Sequence, residues 1–98
     1  MYKAIILPLA KEDVKVAAHW YNDNQKGLGK RFIKDVRSKI LYIRKNPKSV
    51  STRYDDTRCV VLNTFPFMVH FSIDEEQKVI IVSAVFHTSL NPDRWKKR

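Results

Sequence analysis

Cys59 is the one cysteine among 98 residues, so the chain has no partner thiol for an internal disulfide and no thiolate set for a structural zinc cluster. Three histidines, His19, His70 and His87, lie far apart in the sequence, without metal-ligand spacing, and no metal or other cofactor is expected. Two glycines, Gly27 and Gly29, are too few for a phosphate-cradling loop. The longest apolar run, Val79 to Phe86, is interrupted by Ser83 and is far shorter than a membrane span. The N-terminal stretch Met1 to Pro8 is too short for a secretion signal. A reducing cytoplasm, with no membrane contact, is the expected setting.

Acidic residues are also scarce. Ten Asp and Glu face nineteen Lys and Arg, giving a formal charge of +9. Residues 1–25 are balanced, whereas residues 26–58 carry eleven cations against Asp35, Asp55 and Asp56. Arg94, Lys96, Lys97 and Arg98 add four more cations at the end, and Asp74-Glu75-Glu76 is a small acidic island. Such a block concentrates anionic partners, whether nucleic acid or an acidic protein. The loop cations Lys48 and Arg53 and the tail cations Arg94, Lys96 and Lys97 are the candidates for binding nucleic acid or another target.

What is present suffices for one core. The chain is 44% hydrophobic and 11% aromatic, and a single domain of this size hides roughly 65% of its unfolded surface. Tyr2 to Leu7 reads as a strand stopped by Pro8. Val14, Ala17, Ala18 and Tyr21 share one helical stripe; Leu28, Phe32, Val36, Ile40 and Ile43 form a second, ended by Asn46-Pro47. A short Gly-containing link predicts that these two helices form an antiparallel hairpin. Residues 48–57 read as strand-poor. Strands follow at Arg58 to Leu62, Phe67 to Ile73 and Val79 to Phe86. The expected fold is α+β, in the order β-α-α-β-β-β, with the hairpin on one face of a mainly antiparallel sheet and a short helix or tail at the end. Simple alternation puts Ile80, Val82, Ala84 and Phe86 on the other face with Met68. That face is expected to meet a partner chain, or else to be covered by the C-terminal segment folding back with Leu90 and Trp95.

Several runs occur together in order: Ala17-Ala18-His19-Trp20-Tyr21, Gly27-Leu28-Gly29-Lys30-Arg31-Phe32, Ile43-Arg44-Lys45-Asn46-Pro47, Arg58 ahead of Phe65-Pro66-Phe67, and Val85-Phe86-His87 with Asn91-Pro92 and Trp95. In this order the chain, residues 1–98, resembles the RelE/ParE superfamily of bacterial toxins, and most closely its ParE-like branch. The resemblance implies a growth-inhibiting toxin of the kind associated with plasmid stabilisation, neutralised by a cognate acidic antitoxin. Met68, Ile80, Val82, Phe86 and Trp95 are the expected antitoxin contacts. ParE members poison DNA gyrase, the favoured target, whereas RelE members cut mRNA on the ribosome.

For the nuclease alternative, the resemblance matches Arg58 to the family's basic residue opening the second strand and His87 to a position after the last strand that serves as acid or base in some members, with Lys48 and Arg53 supplying further cations. RNA cleavage requires a base for the 2′-hydroxyl, an acid for the leaving oxygen and cations at the phosphate. Thr88-Ser89 follow His87 where a Tyr would be usual, and no Glu lies between Lys48 and Arg58. The expectation is therefore a binding protein; were it an enzyme, it would be a metal-free endoribonuclease. A non-toxic binding protein is a third class.

Overall fold

A computed structural model describes residues 1–97, except the side chain of Lys97; that side chain, a candidate target contact, and Arg98 lie outside the described residues. Strand β1 (Lys3–Ile6) leads into helix α1 (Pro8–Asn24). Pro8 occupies the first helical turn, where its missing N–H is no loss, and forces Leu7 into extended geometry at ψ 153°. Helix α2 (Leu28–Lys45) follows a link whose Gly27 has φ 89° and whose N–H donates to Asn22 Oδ1 at 2.9 Å. Asn46 leaves helical geometry before Pro47, as expected, and a 3-10 turn spans Pro47–Ser49.

The remaining chain is a meander: β2 (Thr52–Tyr54), β3 (Thr57–Val61), β4 (Phe67–Asp74) and β5 (Val79–His87), closed by a 3-10 helix over Pro92–Lys97. The sheet order is β1-β5-β4-β3-β2, with β1 parallel to β5 and every other pair antiparallel. The α+β expectation holds. The sheet has one strand more than the sequence reading, because the three residues of β2 are too few to show a period.

The helical hairpin covers one face of this sheet. Phe32, Val36, Ile40 and Ile43 of α2 and Ala10, Ala17 and Ala18 of α1 bury against Val69, Phe71, Ile80, Val82 and Val85. At one end Tyr21, Phe32, Phe65 and Phe67 form an aromatic cluster with ring centroids 4.7–6.1 Å apart. Two carboxylates fix the layers to each other. Asp35 of α2 accepts the N–H groups of Thr64 and Phe65 at 2.9 and 3.1 Å. Asp13 of α1 accepts the N–H of Val85 at 3.0 Å. Strand β1 ends opposite Val82, so no strand is available for that outward N–H.

Strict alternation fails in β5. His70 pairs with Ala84 and Phe71 with Val82, leaving Ser83 as a one-residue bulge whose hydroxyl donates to the His70 carbonyl at 3.4 Å. The extra residue inverts which side chains point inward. Ile80 and Val82, expected on the open face, are fully buried beneath the helices. Ala84 and Phe86 do lie on the second face, together with Met68 and His70. The C-terminal segment covers that face. Trp95, buried, stands 4.8 Å from the His70 ring and 5.5 Å from the Tyr54 ring, centroid to centroid.

Candidate functional site

The strand register determines whether Arg58 and His87 can act together. Arg58 opposes Phe71, and His87 opposes Phe67. They therefore stand four residues apart along β4 and on the two strands flanking it, about 13 Å by about 10 Å at ordinary strand spacings. Each is also engaged locally. The guanidinium of Arg58 donates to the Val50 carbonyl. The Nδ1 of His87 accepts the Ser89 N–H at 3.0 Å and lies 2.7 Å from the Ser89 hydroxyl. An imidazole that accepts at Nδ1 carries its proton on Nε2 when neutral. Each side chain is thus held by its own neighbours rather than by the other.

The candidate cations are also separated. Lys48 pairs with Glu75 at 3.3 Å, on the edge of the sheet nearest β1 and Tyr2. Glu75 also takes the Tyr2 hydroxyl at 2.7 Å and Lys78 at 3.2 Å. These partners, the Tyr2 hydrogen bond foremost, hold its carboxyl down at about 2. On the opposite edge, the Arg53 guanidinium sits 5.3 Å from the Trp95 ring, and Lys96 lies 3.9 Å from Asp55 and 6.0 Å from the Tyr54 ring. Arg94 is exposed. Arg53 and Lys96 thus share a cleft with Tyr54 and Trp95, while Lys48 and Arg58 do not belong to it.

Beneath Trp95, Tyr54 Oη is 3.0 Å and Cys59 Sγ 3.4 Å from His70 Nδ1. Burial pushes the Cys59 thiol up to about 11, with Arg53 opposing, so it stays a thiol near neutrality. Among the described residues no three His, Cys, Asp or Glu side chains cluster as metal ligands, and no helix is long and apolar enough to cross a membrane.

A more open surface lies between the helices. A groove of about 440 Å³ runs along the α1–α2 seam, floored by Ile6, Val14, Ala18, Ile33, Val36, Ile40, Val82 and Val85. Its charged rim is entirely basic: Lys11 and Lys15 on α1, and Arg37 on α2. The sequence reading missed it. The four-residue step between Lys11 and Lys15, in a segment of balanced charge, was the signal that could have revealed it. Apolar floor and cationic rim together suit an amphipathic acidic segment.

The profile of the ParE toxin of type II toxin–antitoxin systems matches residues 4–92. The chain belongs to this ParE toxin family. Among solved structures, the ParE-family chain resembles the chromosomal ParDE toxin–antitoxin system from P. aeruginosa, with a TM-score of 0.77 at 14% identity, covering 91% of this chain and 98% of that one. It also resembles the intact E. coli RelBE toxin–antitoxin complex, with a TM-score of 0.68 at 14% identity over 89% of this chain and 96% of that one. The isolated E. coli RelE toxin gives a TM-score of 0.68 at 13% identity, with 99% and 95% covered. At these identities the likeness establishes the fold, which ParE and RelE toxins share. No curated protein matches the sequence.

Proposed function

We propose that this ParE-family chain is a cytoplasmic growth inhibitor that acts by binding DNA gyrase and is neutralised by a cognate acidic antitoxin. The observation that carries the binding reading is the separation of Arg58 from His87 by the β3–β4–β5 register, with each side chain engaged by its own neighbours. A ribonuclease needs its acid, base and cations around one phosphate, and this arrangement does not favour one. The ParDE and RelBE likenesses support an antitoxin partner, since both of those structures are toxin–antitoxin systems. The basic-rimmed groove between α1 and α2 supports its acidic character and is the proposed seat of the antitoxin. Ile80 and Val82 are fully buried, Val82 within the floor of this groove, so the rim cations Lys11, Lys15 and Arg37 take up the contact role proposed for them, and Trp95 covers the second sheet face.

The test is induced expression of the Arg58→Ala/His87→Ala double variant, with circular dichroism as the check on folding. Growth arrest and inhibition of gyrase supercoiling are both expected to survive. Loss of arrest in a folded variant, together with loss of mRNA cleavage on translating ribosomes, would replace the binding reading with the nuclease.

A further inference from the structure

The outer face of α2 has a use that neither the groove nor the gyrase reading requires. Lys30, Lys34, Arg37, Leu41 and Lys45 recur at steps of four, three, four and four residues, one stripe of a helix, and all are exposed. Arg31, also exposed, lies beside them. The opposite side of α2 is buried through Phe32, Val36, Ile40 and Ile43, which holds the stripe in place. From Lys30 to Lys45 the helix rises about 22 Å.

Among the described residues, no ion pair joins this face to a carboxylate. Asp35 is the one acidic residue of α2 and is buried, with its carboxylate given to Thr64 and Phe65. The ion pairs among the described residues, Lys48 and Lys78 to Glu75 and Lys96 to Asp55, involve no residue of α2. Four cations in one stripe, with a fifth beside it, repel one another and are stabilised most by a rigid anion of high linear density. Duplex DNA presents about one phosphate charge per 1.7 Å of axis, or about thirteen along this face. Composition points the same way: lysine is depleted at protein–protein interfaces, whereas nucleic-acid interfaces are polar and strongly cationic. Three of the five cations here are lysines, and Leu41 is the single apolar member of the stripe.

We infer that the outer face of α2 binds the phosphate backbone of duplex DNA through Lys30, Arg31, Lys34, Arg37 and Lys45. The site is distinct from the α1–α2 groove, with Arg37 at their common border. The row is pre-positioned by the core, so little ordering is needed on contact.

The test is fluorescence anisotropy of a labelled duplex of arbitrary sequence, titrated with the full chain between about 50 and about 200 mM salt. Five phosphate contacts predict a slope of log K against log salt of about −4.5, an affinity loss on the order of 500-fold across that range. The variant Lys30→Gln/Lys34→Gln/Lys45→Gln is expected to flatten the slope by about 2.7 and weaken binding on the order of 100-fold near 0.1 M salt. The control Lys3→Gln/Lys11→Gln/Lys15→Gln removes the same three charges from +9 and is expected to weaken binding less than about threefold. Equal losses in the two variants would mean that net charge alone attracts DNA, and would overturn the site. A slope shallower than about −2, or duplex RNA bound tenfold tighter than DNA, would overturn it as well. Supercoiling inhibition in the same variants separates the two claims: its absence with DNA binding intact sinks the gyrase reading and leaves this one standing.

Discussion

Asp35 is a buried carboxylate in a strongly basic chain, and the groups it serves are backbone amides. Its two bonds to Thr64 and Phe65 hold the loop between β3 and β4 against α2, beside the aromatic cluster. Removing the carboxylate leaves two N–H groups to be satisfied elsewhere, so Asp35→Ala is expected to lower stability by about 2–4 kcal/mol in a denaturant titration. A loss under about 1 kcal/mol would show that water replaces the carboxylate in both bonds. Glu75 gives a residue-scale prediction of the opposite kind, on the surface. Its carboxyl is held at about 2, below the ordinary glutamate value, chiefly by the Tyr2 hydroxyl and then by Lys78 and Lys48. A depressed folded value means the unfolded chain takes up the proton first. The stabilisation is therefore complete above the ordinary glutamate range, about 4.3, and is lost as pH falls towards 2. The carboxyl is solvated, and salt screens its partners. The expected signature is a shallow fall of thermal midpoint over that window, absent in Glu75→Gln. An identical acid limb in the variant would assign the fall to other carboxylates.

The two glycines of the α1–α2 link have different roles, and the difference governs how the helices meet. A Cβ on Gly29 would stand 2.5 Å from the Ala18 carbonyl oxygen, a backbone atom that cannot turn aside. Gly27 has open space around it but a left-handed φ of 89°. Gly29→Ala is expected to force the helices apart and destabilise by about 2 kcal/mol or more, Gly27→Ala by about 1 kcal/mol. Denaturation midpoints of the two variants check the order; the reverse order would place the constraint in the turn. At this scale the sequence was legible wherever a period ran long enough. Both helices, their ends at Pro8 and Pro47, and strands β1, β3, β4 and β5 were read correctly. Strand β2 was missed because three residues carry no period. Ile80 and Val82 were assigned to the wrong face because Ser83, the one polar residue of that run, does not by itself reveal a bulge. The candidate site was less legible than the fold. Arg58 was read as opening its strand and His87 as following the last one; Arg58 stands second in β3 and His87 ends β5, and only register sets the distance between them. The helix groove drew on residues of both helices, β1 and β5, a combination no local pattern reveals.

The core lies between hairpin and sheet, and the second sheet face is covered by the chain's own Trp95. A concave apolar surface at the helix seam carries a cationic rim. An acidic partner should therefore be steered to it, and its association rate should fall at least about tenfold between low and high salt while dissociation changes less. Stopped-flow mixing at several ionic strengths measures this, and a flat association rate would remove electrostatics from antitoxin recognition. The proposed function has the chain bind gyrase rather than cut RNA. Its most direct test is supercoiling of relaxed plasmid by purified gyrase in the presence of the purified chain. Supercoiling is expected to be blocked by the wild type and by the Arg58→Ala/His87→Ala variant alike; undiminished supercoiling at a large excess of folded chain would rule gyrase out as the target.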